Sequence, residues 1–159
     1  MAIVLYRIDE RLVHGQVVVG WGSKLRPDRY VVVDGGLAQS DWEQDLYALG
    51  VPDGADCFFY SAQAARLEHS GWQDSPLRTI LLTRDIGTML ELGRGGLLAG
   101  ENVNLGGLHH REGREQVLPY LYLDDPDRAE LTSLEEEGAL VSAQDLPGSP
   151  KVLLDFLLA

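Results

Sequence analysis

A single cysteine, Cys57, in a chain of 159 residues leaves no internal disulfide to form and excludes a small disulfide-stapled fold. Cys57 stands between Asp56 and Phe58 in an apolar run and reads as a small buried hydrophobe rather than a reactive thiol. Positive charge is also scarce. Lys and Arg number 13 against 25 Asp and Glu, for a formal net charge of −12. Nucleic acid is therefore not an expected partner, because a phosphate backbone needs a basic footprint. No apolar run approaches the ~20 residues that a membrane-crossing helix needs. The first dozen residues hold Arg7, Asp9, Glu10 and Arg11 and no cleavage-site pattern, unlike a secretory signal, so the cytoplasm is the expected compartment. Repeats, low-complexity tracts and linkers are missing too, and residues 1–159 are expected to form one domain.

What the chain does have is a succession of short apolar runs: IVLYRI from residue 3, YVVVD at 30–34, CFFYS at 57–61, TILLT at 79–83, NVNLGG at 102–107, YLYL at 120–123 and ALVSA at 139–143. Several are nearly continuous in β-branched or aromatic residues, as strands covered on both faces are. Amphipathic stretches separate them. Ser40 before DWEQDLYALG and Ser61 before AQAARLEHSG are candidate N-caps, RDIGTMLELGRGG and DPDRAELTSLEEEG follow, and Ser149-Pro150 is expected to open a last helix over KVLLDFLLA. The LEEEG run reads as a solvated helix face. Alternation of this kind predicts an α/β fold, a three-layer α/β/α sandwich around a mainly parallel sheet of six or seven strands.

In such sheets function collects in the loops beyond the carboxyl ends of the strands. That rule selects DERLVHGQ at 9–16, DGG at 34–36, Thr83-Arg84-Asp85, and NLGGLHHREGR at 104–114. Gly93, Gly95, Gly96 and Gly100 do not make a phosphate loop, because Glu101 stands where a lysine is required and no strand directly precedes them; a flexible helix end is the better reading. His109 and His110 lack a third ligand at metal-binding spacing, and neither HExxH nor a cysteine cluster occurs, so no metal site and no cofactor are expected.

His14 differs from these. It follows a strand end, precedes Gly15, and leads into a helix-like stretch from Gln16 to about Lys24. Unpaired N–H groups at a helix start favour an anion, and Arg11 lies three residues upstream. A neutral imidazole beside a guanidinium in an anion-binding turn suits acceptance of a phosphoryl group, whose charged equatorial oxygens a guanidinium can hold in pairs. A hydrolase with His14 as general base is disfavoured, since no serine or cysteine nucleophile stands beside it.

RIDERLVHGQV at 7–17 resembles the signature of the enzyme IIB component of the mannose/fructose/sorbose class of the phosphoenolpyruvate-dependent sugar phosphotransferase system. Val-Val-Val-Asp at 31–34 is similar to that family's second strand and its terminal aspartate, TILLT followed by a charged pair to its fourth strand, and Asn104-Leu105-Gly106-Gly107 to its Asn-Ile-Gly-Gly loop. The resemblance implies that His14 accepts a phosphoryl group, on Nδ1, from a phosphorylated IIA protein or domain and passes it to a sugar brought by IIC and IID membrane subunits. It implies a phosphate-binding role for Arg11, Gly15 and Gln16 and supporting roles for the loops at Asp34, Thr83, Asn104, Gly106 and Gly107. For Asp9 two readings stand: it orients Arg11 or the imidazole, or it caps the turn. Arg7, within the strand, pairs with a carboxylate on the plain reading. Two departures from the family pattern are Gly35-Gly36 and the cation-rich HHREGR, either a docking feature or surface variation.

Residues 1–30 carry Arg7, Arg11, Lys24, Arg26 and Arg29 against Asp9, Glu10 and Asp28, so a positive rim around His14 on an acidic body is expected, with membrane association only through protein subunits. A regulatory phosphocarrier or binding protein without a permease would have the same kind of chain, because the permease lies on other polypeptides. The roles of Glu10 and of the His109-His110 pair, the sugar, and a homodimer anchored by Trp21 or Trp72 (against their packing in the core) stay open in the sequence.

Overall fold

A computed structural model describes residues 2–159. β1 (Ile3–Ile8) leads through the DERLVHG loop into a π-helical segment (Gln16–Trp21) continued by α1 (Gly22–Leu25). β2 (Arg29–Val33), a 3₁₀ turn (Leu37–Gln39), α2 (Asp41–Ala48), β3 (Asp56–Tyr60), α3 (Ala62–Asp74), β4 (Thr79–Thr83), α4 (Ile86–Gly93) and β5 (Asn102–Leu105) follow. After β6 (Glu115–Leu118) and β7 (Leu121–Leu123) come α5 (Asp125–Glu136), β8 (Leu140–Ala143), β9 (Val152–Leu153) and α6 (Leu154–Leu158).

Seven strands form one sheet in the order β3-β2-β4-β1-β5-β8-β9, parallel except for β9. Strand alternation puts Tyr30, Val32, Ile80 and Leu82 on one face, against Leu12, Val13, Val17 and Leu37. Val31, Val33, Leu81, Val103 and Val141 point to the other, against Trp72 of α3, Met89 of α4 and Leu131 of α5. The expected three-layer α/β sandwich is therefore what forms. Parallel pairing brings the carboxyl ends of β1, β2, β4 and β5 to one edge, and with them all four loops selected above.

Caps explain where several helices start. Ser61 accepts a hydrogen bond from Ala64 N, Asp85 from Thr88 N, and Asp124 with Asp127 closes a capping box on α5. Ser40 precedes α2 without a side-chain cap bond. GRGG is a helix end, as read, with Gly95 at φ +75° and Gly96 at φ +80°. Glu135 and Glu137 of the acidic run do more than face water, accepting hydrogen bonds from Val141 N and Gly95 N.

Two elements differ from expectation. YLYL does not join the main sheet but pairs antiparallel with β6, a strand whose Glu115 and Gln116 carry no apolar alternation. KVLLDFLLA is not helical from its start: Val152 and Leu153 pair with the outer edge of β8, and the helix begins only at Leu154. An open strand edge outbids helix propensity there, next to the extended backbone that Pro150 favours. Trp21 and Trp72 are both buried and belong to the core, not to an interface. Cys57 lies half-buried, and burial pushes its thiol up to about 11, in keeping with an inert core role.

Tyr6 Oη and His69 Nε2 lie 2.7 Å apart beneath the sheet, where burial holds the imidazole below its ordinary 6.5. The unfolded chain therefore takes up the proton first. This contribution to stability is complete above pH 6.5 and is lost as pH falls below it toward the folded-state value. Urea unfolding at pH 7.5 and 5.5 will show a loss for the wild type on acidification that is smaller in His69→Gln.

Candidate functional site

Arg7 ends the inward face of β1, fully buried, opposite its register partner Asn104 of β5. A buried guanidinium needs acceptors on every side. It finds Asp9 Oδ2 at 3.1 Å from Nη2, the Asn104 side-chain oxygen, and the carbonyls of Gln144 (2.8 Å) and Asp145 (3.2 Å), with the Trp21 ring 5.4 Å away. Trp21 Nε1 donates to the same Asp145 carbonyl, so the tryptophan frames the site from beneath.

Asp9, also fully buried, is where the site converges. Oδ1 accepts from Arg11 N at 3.0 Å and Arg11 Nε at 3.3 Å. Oδ2 accepts from both Arg7 and Arg11, and His14 Nε2 lies 3.8 Å away. Burial pushes the Asp9 carboxyl up, but Arg7 and the Arg11 hydrogen bonds outweigh it and hold the group below the usual carboxylate range. Burial also lowers Arg7, which stays cationic because its range starts so high. Two cations on one carboxylate leave the pocket a positive surplus beside His14. Asp9 is thus both turn cap and orienting group, and the two readings collapse into one.

His14 Nδ1 donates to the carbonyl of Leu12 at 2.8 Å. Leu12 is fully buried at φ +54°, a left-handed conformation costly for leucine, and that twist aims its carbonyl at the ring. The lone pair therefore resides on Nε2, which is buried and without a hydrogen-bond partner. The Nδ1 acceptor implied by the resemblance is engaged in this conformation.

The loops after β4 and β5 flank the histidine loop. Thr83 accepts from Asp9 N through its carbonyl at 2.9 Å, and Gly107 accepts from Glu10 N at 2.9 Å, so β4 and β5 clamp the histidine loop from both sides. A Cβ on Gly106 would overlap the Arg7 guanidinium and approach Asp9 Oδ2 to 2.5 Å; on Gly107 it would stand 3.0 Å from Arg11 Nη2. Gln16 reaches Arg11 rather than open space, its Oε1 accepting from Nη2 at 2.7 Å. Gly15 has helical φ −51°, and a Cβ there would meet nothing within 4 Å, so openness and not conformation is what it contributes. Asp34 caps the 3₁₀ turn through Leu37 N and pairs with Arg84 at 2.9 Å, tying neighbouring loops without touching His14.

Glu10 and the HHREGR segment, left open by the sequence, form one latch. Glu10 meets His109 Nδ1 at 3.0 Å and the nearly buried Arg114 at 2.8 Å, and Arg114 continues to Asp127 of α5. His110 stands edge-on to Tyr122. The expected positive rim is smaller than the count implied. Lys24, Arg26 and Arg29 lie at the far edge, where α1 ends and β2 begins, and Arg29 binds Thr79 at the start of β4. Arg84 and Arg114 are paired. Near His14 the surplus rests on Arg7 and Arg11.

The family model described as the PTS system sorbose subfamily IIB component matches residues 3–159. The chain is 34% identical over 153 residues to the N-acetylgalactosamine-specific phosphotransferase enzyme IIB component 1 of Escherichia coli, covering 94% of each. It is 25% identical to the sorbose-specific EIIB component of Lacticaseibacillus casei, covering 94% of this chain and 91% of that one. The crystal structure of the IIB domain of the sorbose permease from Klebsiella pneumoniae superposes with a TM-score of 0.86 at 26% identity, covering 99% and 96%.

Arg7→Met leaves Asp9 buried with half its compensation and will cost about 3–5 kcal/mol in urea unfolding. Gly106→Ala, forced into the same ion pair, will cost about 3 kcal/mol, whereas Gly15→Ala will stay within about 0.5 kcal/mol.

Proposed function

Because the chain belongs to the sorbose-subfamily IIB components of the phosphotransferase system, we propose that His14 is the residue that carries the phosphoryl group and that residues 1–159 act as one IIB domain. The protein is a phosphocarrier of sugar uptake, a phosphotransferase that moves phosphate from IIA toward the sugar. One observation carries the assignment to His14: its imidazole lies against a buried carboxylate that two arginines share, at the sheet edge where the loops meet.

Transfer begins when the ring turns out of its contact with Leu12 and Asp9. An imidazole nitrogen lone pair attacks phosphorus, the P–N bond to the donor's histidine breaks, and its electron pair stays on the donor nitrogen. Arg11, partly exposed and steered by Gln16 and Asp9, binds equatorial oxygens of the passing group. Arg7 does not touch phosphate; it keeps Asp9 ionised and Asp9 keeps Arg11 in place. In the second half-reaction a sugar hydroxyl attacks phosphorus, losing its proton as the P–O bond forms, and the P–N bond to His14 breaks. No helix among the described residues is long and apolar enough to cross a membrane; membership in the IIB family supports IIC and IID subunits as the membrane partners.

The test uses the general phosphotransfer enzymes, a cognate IIA protein and labelled phosphoenolpyruvate. Wild type takes up acid-labile, base-stable label and His14→Ala takes up none; label of that kind on the variant would remove His14 from its role. Arg11→Ala will slow transfer on the order of 10²–10³-fold with the fold retained, the loss expected of an oxyanion-stabilising donor. Nitrogen-15 NMR of the phosphorylated chain reads which ring nitrogen carries phosphorus.

A further inference from the structure

The short helix α2 is turned inside out. At helical spacing Trp42, Leu46 and Leu49 fall on one stripe, yet they are 66%, 57% and 83% exposed. The opposite side, which faces the core, presents Gln44 and Tyr47; Gln44 spends its amide on the Leu37 carbonyl at 2.7 Å. A helix that served only the fold would point its leucines and tryptophan inward.

The C-terminal end of α2 lies near the histidine loop. Tyr47 and Val51 pack on the cluster that holds Leu12, Val13 and Val17, and a Cβ at Gly50 would stand 3.8 Å from both Cγ1 and the carbonyl oxygen of Val13. Leu49 therefore precedes a glycine whose backbone lies close to Val13, the neighbour of His14. Any protein that brings a phosphohistidine to this ring must cover the ground next to it.

The size of the stripe selects the kind of occupant. Three such side chains expose on the order of 400 Å² of apolar surface, the scale of a functional patch on a monomer. A stable homodimer covers about 800 Å² per partner, whereas transient complexes sit well below that. The flank is acidic, with Asp41 and Asp45 exposed along one side of the stripe. We propose that the Trp42–Leu46–Leu49 face of α2 is the docking surface for the phosphohistidine-bearing donor protein, and that the donor meets it with an apolar patch rimmed by Lys or Arg. The apolar stripe holds the transient complex, the acidic flank sets its orientation, and the Arg11 pocket receives the phosphoryl group.

This rests on His14 as the phosphoryl acceptor, and the experiment separates the two. Transfer from the phosphorylated IIA protein is followed against donor concentration for wild type, Leu46→Gln/Leu49→Gln and Trp42→Ala, with Leu67→Gln on exposed α3 as control. The stripe variants will raise the KM for the donor tenfold or more and change the saturating rate less than twofold, with unaltered circular dichroism. Asp45→Lys will raise the KM further at low salt than at high salt. A wild-type chain that takes no label overturns the reading of His14 and this surface with it. Label transfer with an unchanged donor KM in both stripe variants overturns the docking surface alone. So does a wild-type dimer in sedimentation that those variants dissociate, since a second copy would then occupy the stripe.

Discussion

One buried carboxylate holds this site together. Asp9 has no access to water, and its carboxylate is shared by two guanidiniums and the Arg11 N–H, with an imidazole 3.8 Å away. Isolated, such a charge would cost several kcal/mol, so its surroundings cannot vary independently. Arg7 must be buried to reach it, Asn104 and two carbonyls must then satisfy Arg7, and Gly106 must lack a side chain so that β5 can close over the pair. The rigidity that catalysis by positioning requires follows from that chain of obligations.

Against this rigid base one group is held under tension. Leu12 adopts a left-handed backbone whose carbonyl retains the His14 ring, while Nε2 lies buried without a partner. Strain of this kind persists where the surroundings over-determine it, and here the hydrogen bonds from Asp9 N and Glu10 N to the flanking loops do so. A carrier has to accept from one partner and donate to another. In the proposed transfer, a histidine that rests engaged and turns out to react keeps its nitrogen from adventitious chemistry between the two events.

The loop set is built for traffic on one edge of the sheet. The latch from Glu10 through Arg114 to Asp127 fastens the His109-His110 segment, and with it the start of the separate β6–β7 ribbon, to the histidine loop. Cations at the opposite edge contribute nothing to the phosphoryl pocket, which is why net charge along the first thirty residues overstated its polarity.

The alternation of apolar runs and amphipathic stretches was enough to read six of the sheet's strands or their partners, both helical layers and the edge where function collects, because period and end signals are local properties of the chain. The motif around His14 was legible for the same reason. The pairing of β9 and the detour of YLYL into a ribbon with β6 were not, because each depends on which edge or face lies open after the rest has folded. Likewise Arg7 and Asp9 are two residues apart in sequence, but their roles come from Asn104, Gln144, Asp145 and Gly106, close to a hundred or more residues further on. Sequence determined which groups would be available at the phosphoryl site and the order in which strands deliver them. Only tertiary structure decided how the buried Arg7 is compensated, which imidazole nitrogen is engaged, and that α2 turns its apolar side to solvent, because burial and charge compensation are set by contacts between distant segments.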